Sequence, residues 1–239
     1  MSDRPQVYLI LGAAGSGRRE IVADLIEAGL GAGATVHSLL AETEAAGAAD
    51  ARLGTLARWR WADGRIAARL PAATVFFFAD GRRNPVDQIE AFQAWLAAGG
   101  GELARILCVV HCSLAARHPP LLAWFDACVH FADVVLFNRR EGVENKWFSA
   151  FRAHFAGQFL PCLFEVVKAG RVANPALILE PQARRLSHCF DAEQDWEVDD
   201  GEEETEGEVE MHPVDDPYLQ RRPGGRRVRE LPDIAQFLA

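Results

Sequence analysis

Apolar and polar positions alternate in blocks along this chain, and the blocks predict strands and helices in turn. A β-rich run, Val7 to Leu11, enters a loop holding Gly12, Gly15 and Gly17. A helical pattern follows in Glu20, Ile21, Val22, Leu25 and Ile26. Thr35 to Leu40 reads as a second strand, and residues 41–57, rich in Ala, Gly and acid, read as loop and weak helix. Arg58 to Ile66 alternates Arg and Trp before Asp63-Gly64, the pattern of one arm of a hairpin. Thr74 to Ala79 is an uninterrupted apolar run, as expected of a strand covered on both faces. An amphipathic helix over 86–98, a strand over Arg105 to His111 and a helix opened by Pro119 and Pro120 come next. A strand over Asp133 to Phe137, a helix over 145–156 and a last strand over Cys162 to Val167 complete the series.

Strands alternating with helices predict an α/β protein, a three-layer fold of the P-loop NTPase type with a mostly parallel sheet. Ligands of such sheets bind at the carboxyl ends of the strands. Here those ends carry Gly12 to Arg19, Asp80, His111 and Asn138.

The first of them is the strongest chemical signal. Strand, glycine loop and helix form the context in which backbone N–H groups converge on a phosphate at the positive end of a helix. A working loop ends in Gly-Lys-Ser/Thr; this one ends in Gly17-Arg18-Arg19, without the lysine or the hydroxyl that holds Mg²⁺. Asp80 reads equally as a metal-holding acid and as a cap for the loop before Pro85.

Composition narrows the picture. The apolar fraction of 49% and charged fraction of 25% are those of a globular protein. No run is long enough for a membrane helix, and the N-terminus lacks a signal peptide's apolar core, which predicts a cytoplasmic protein without membrane contact. Five cysteines, odd in number and set in apolar runs, read as reduced core residues. The net charge of −9 is unevenly spread: residues 191–216 hold 14 acidic side chains and no basic ones, leaving 20 acidic against 25 basic elsewhere. That small excess forms no basic stripe, so no nucleic-acid partner is expected.

The motifs, taken in order, resemble the CobW-type metallochaperone GTPases, the group that includes the nucleotide-binding domains of urease and hydrogenase nickel-insertion proteins. The family's Gly-x-x-Gly-Ser-Gly-Lys-Thr loop is similar to Gly12 to Arg19. Its Glu-Thr-Thr-Gly-x-x-x-Pro segment aligns with Phe78 to Pro85, its Val-Val-Asp-Ala strand end with Val109 to Cys112, and its base-reading Asn-Lys-x-Asp with Asn138 to Glu141. Gly170-Arg171-Val172 and Pro175 match the close of its domain, so the resemblance spans roughly 6–180. It implies GTP as ligand, held by Gly12, Gly15, Ser16, Gly17, Arg18, Arg19, Asn138 and Glu141, with Asp80 as the candidate catalytic acid.

The departures run in one direction. Arg19 cannot ligate Mg²⁺, Phe78 stands in place of an acid, and Glu141 in place of the aspartate that reads guanine. The family's Cys-x-Cys-Cys motif has no counterpart, so no zinc is expected, and Mg²⁺ is doubtful. The resulting expectation is a GTP-binding module with little or no hydrolysis, its standing as an enzyme left open. Two readings stand beside it: an active divergent GTPase or small-molecule kinase, and a ligand-free scaffold.

The expected organisation is a GTPase-like domain over 1–185, an acidic disordered linker over 186–216 and a short docking tail over 217–239. The tail regains Tyr218, Leu219, Ile234 and Phe237, enough to bind a protein partner or the body. Two alternatives stand beside the solvated-linker reading of this region: that the acidic run occupies the arginine-lined anion site in cis, and that His212, Asp215 and Asp216 bind a metal weakly.

Overall fold

A computed structural model describes residues 4–31, 33–191 and 216–238. Its elements are β1 (Gln6–Leu11), α1 (Arg18–Gly29), β2 (Val36–Ala41), β3 (Thr55–Ala62), β4 (Arg65–Ala67), β5 (Thr74–Phe78), α2 (Pro85–Gly99), β6 (Glu102–His111), α3 (Cys112–Arg117), α4 (Leu122–His130), β7 (Val134–Asn138), α5 (Asn145–Ala156), β8 (Leu163–Val166) and α6 (Pro175–Leu179). The eight strands form one sheet in the order β4-β3-β2-β5-β1-β6-β7-β8. Every neighbouring pair is parallel except β3 and β4, an antiparallel hairpin turned by Asp63 and Gly64, both with positive φ.

The period-2 rule decides the layers. In β1, Val7, Leu9 and Leu11 face one apolar cluster, built with α2, α4 and α5, while Tyr8 and Ile10 face the other, built with α1 and α6. The result is the three-layer α/β fold. Local signals set the helix ends: Asn84 accepts from the Val86 N–H ahead of Pro85, and Gly100 closes α2 at φ 67°. Among the described residues no helix is long and apolar enough to cross a membrane.

One buried charge ties the second layer down. Arg105 in β6 has no exposed surface, and its guanidinium donates to the carbonyls of Leu177, Ile178 and Gln182 at 2.7 to 3.1 Å. Tyr8 adds a hydroxyl bond to the Leu179 carbonyl at 2.6 Å. Together they anchor α6 across the edge of α1.

The chain's C-terminal stretch lies against the first layer. Asp216 bonds His130 at 2.8 Å and accepts from Ser187, Tyr218 and Ile234 are buried in the main cluster, and Arg227 pairs with Asp87 and Glu90 on α2. The expected linker is therefore shorter at both ends. Ser187 is 2% exposed and Asp216 is held by the body, while 192–215, including His212 and Asp215, lie outside the described residues. All five cysteines are free thiols, four of them buried. One boundary differs from expectation nearby: β3 begins at Thr55, inside the stretch read as loop and weak helix, because pairing with β2 holds an edge whose side chains face water.

Candidate functional site

β1 lies between β5 and β6, the point where the strand order reverses, and its carboxyl end opens into the glycine loop. Gly12, Gly15 and Gly17 have φ of 131°, 78° and 87°, values other residues adopt at a cost. Two of them also permit close approach. A Cβ on Gly12 would lie 2.3 Å from the Val109 carbonyl oxygen, and one on Gly17 would lie 2.4 Å from Asn138 Nδ2. Gly17 caps α1 without a side chain, so the first amides of that helix have no intrahelical acceptor and point into the loop.

A cleft of about 310 Å³ lies over this loop, between it and residues 44–49, with Arg82 and Arg139 at its mouth. Ser16 is wholly buried, and its Oγ has no partner among the described residues. A second cavity of about 290 Å³ holds Asn138, Glu141, Val167 and Ala169. The two cavities share Gly17, Glu20 and Arg139. Asn138 joins them mechanically, since its Nδ2 donates to the Ser16 carbonyl at 2.8 Å. Arg139 does the same from outside, with Nε donating to the Gly15 carbonyl at 3.2 Å.

The two arginines that end the loop line the cleft and are both engaged by carboxylates. Arg18 is 5% exposed; it donates to the Ala79 carbonyl and pairs with Glu44 at 2.5 Å. Arg19 grips the other Glu44 oxygen through NH2 at 2.7 Å and Nε at 3.1 Å, and reaches Asp50 at 2.8 Å. Burial would lower the Arg19 pKa, but the hydrogen bonds to Glu44 and Asp50 outweigh it and hold the pKa above its ordinary value. The carboxylates set against the arginines thus come from the segment after β2. Sequence reasoning passed over both Glu44 and Asp50.

This arrangement does not fit Mg²⁺. A guanidinium, clamped by two carboxylates, stands where the metal-binding hydroxyl of such a loop belongs. Among the described residues no group of three or more His, Cys, Asp or Glu side chains is placed to share a metal ion.

Asp80 does not line the cleft over the glycine loop; it lines a neighbouring cavity of about 470 Å³ with Thr43, Trp61 and Arg83. Its carboxylate accepts from the Arg82 N–H at 3.0 Å, Thr43 Oγ1 at 3.1 Å and Arg83 Nε at 3.2 Å. These bonds organise the loop before Pro85, the capping role. His111, at the end of β6, also turns inward and accepts the Leu114 N–H at 3.2 Å, capping α3. Burial, then Arg139 and Arg117, lower its pKa below the ordinary imidazole value.

The fold and site define a three-layer α/β protein with a P-loop-type strand, loop and helix. The sequence matches no protein-family model and no curated protein. Among solved structures, the chain is similar to the Zn(II)-bound YjiA GTPase from E. coli, at 12% identity and a TM-score of 0.43, over 77% of this chain and 67% of that one. A Zn(II)-bound triple mutant of YjiA GTPase gives 10% identity and a TM-score of 0.46 over the same shares. Likenesses this distant bear on neither ligand nor activity.

Proposed function

We propose that this chain is a P-loop nucleotide-binding protein that holds a guanine nucleotide with little or no hydrolysis, acting as a binding or regulatory module. The observation that carries this reading is the adjacency of the two cavities, which share Gly17, Glu20 and Arg139 as lining. One has the glycine-loop amides a phosphate needs. The other has Asn138 and Glu141, the amide and carboxylate suited to the edge of a guanine base. The clamp on Arg19 supports binding over turnover, because phosphoryl transfer depends on a metal bridging the phosphates and here the carboxylates beside the loop are taken up by guanidinium groups.

Fluorescent GTP and ATP analogues, titrated with Mg²⁺ and with EDTA, test the proposal. Guanine-selective binding without phosphate release is expected, and Glu141→Ala is expected to abolish the selectivity. Steady phosphate release would instead favour a divergent GTPase or kinase.

A second reading, a ligand-free scaffold that recruits a protein through its tail, is favoured by one observation: Arg18 and Arg19 already have their carboxylates. Failure of every nucleotide to bind would select it.

A further inference from the structure

The position of Glu44 bears on how many phosphates the cleft takes, an inference that rests on the nucleotide reading above. In a P-loop the amides cradle the inner phosphates, the side chain after the last glycine reaches the terminal ones, and the next residue's hydroxyl holds the metal between them. Here both of those side chains end on one carboxylate. Glu44 Oε1 takes Arg18 at 2.5 Å, and Oε2 takes Arg19 at 2.7 and 3.1 Å.

That carboxylate is fixed. Glu44 is 8% exposed, its N–H donates to the Ala41 carbonyl at 3.0 Å, and its own carbonyl accepts Arg58 NH1 at 2.8 Å. The Gly81 carbonyl takes the Ala14 N–H at 3.0 Å, removing one loop amide, and Gly81 packs so closely that a Cβ there would lie 2.3 Å from Ala14 N. The region past the cradle therefore presents the Glu44 carboxylate. The inner region keeps the free amides at the start of α1 and the unpartnered, wholly buried Ser16 Oγ.

We infer that Glu44 determines the specificity of this cleft: its carboxylate occupies the terminal-phosphate position, so the site accepts a nucleoside diphosphate without metal and discriminates against the triphosphate. A third phosphoryl group would have to displace a carboxylate from two guanidinium groups or lie against it. Like charges at such range in a partly dry site repel strongly.

Calorimetric titration of the full chain with GDP and GTP, each in EDTA and in Mg²⁺, tests this. Wild type is expected to bind GDP about tenfold or more tighter than GTP, with little change on adding Mg²⁺. Glu44→Gln keeps the shape and removes the charge, and is expected to bring the two nucleotides within about threefold by strengthening GTP. Glu20→Gln removes a charge at the junction of the two cavities and is expected to shift both affinities alike. GTP binding as tightly as GDP to wild type overturns the inference, as does an unchanged ratio in folded Glu44→Gln, or a ratio moved equally by Glu20→Gln. Should Glu44→Gln fail to fold, the wild-type ratio decides. Binding of neither nucleotide is a different result, which removes the nucleotide reading itself.

Discussion

Replacing Glu44 by Ala tests the ion-pair network directly. The side chains of Arg18 and Glu44 are 4% and 7% exposed, so this is an interior pair, and Glu44 serves Arg19 as well. Its loss leaves the Arg18 guanidinium with the Ala79 carbonyl and no carboxylate, while Arg19 retains Asp50. Breaking a buried pair from one side costs about 3–5 kcal/mol, because the remaining charge stays desolvated. For a domain of this size each kcal/mol moves Tm by about 2–4 °C, so Glu44→Ala is expected to lower Tm by roughly 6–20 °C. Replacing the group as a whole is different: Arg18→Met, Arg19→Met and Glu44→Leu together remove the desolvated charges and are expected to unfold close to wild type. Urea unfolding followed by tryptophan fluorescence, at low and high salt, measures both. A Glu44→Ala cost below about 1 kcal/mol, the range of exposed pairs, would refute the reasoning. So would a triple variant as unstable as the single one.

Three further outcomes are expected. Gly81→Ala puts a Cβ 2.3 Å from Ala14 N, so it should displace the glycine loop and weaken nucleotide binding with little effect on the far edge of the sheet, as read by amide exchange. Arg227→Ala removes the pairs to Asp87 and Glu90, whose side chains are 51% and 35% exposed; a loss of about 1 kcal/mol is expected, with faster proteolysis between 216 and 238. Burial pushes the Tyr8 hydroxyl and the Cys112 and Cys162 thiols up to about 12, and Cys189 up to about 11. Groups raised on folding stabilise fully below their unfolded values, 9.0 for the thiols and 10.0 for Tyr8. Stability should therefore decline from about pH 9 towards pH 12, and native thiols should resist alkylation near neutral pH until the chain unfolds.

The fold was legible where local rules act alone. The α5 span, the Asp63-Gly64 hairpin and the apolar run of β5 are patterns of one residue and its near neighbours. The start of β3 was not, because Thr55 to Arg58 alternate too weakly to distinguish an exposed edge strand from a loop. The glycine loop and Asn138 lie together, with Asn138 Nδ2 donating to the Ser16 carbonyl. What stayed hidden is the partner of the arginines. Glu44 lies 26 and 25 positions from Arg18 and Arg19, within an Ala- and Gly-rich segment with no periodicity, and only the pairing of β2 between β3 and β5 brings it over the loop. The Arg227 pairs, 140 and 137 positions apart in sequence, were hidden for the same reason.

The hydrogen bond from Ser187 to Asp216 closes a ring in the chain, because both residues are fixed to the body, one buried and the other paired with His130. Closing a ring depends on its length only logarithmically: doubling the number of residues between the two anchors costs about 0.6 kcal/mol. Ring closure by itself thus sets no strict length between the two anchors, whereas Ser187, His130 and Asp216 hold one another in place.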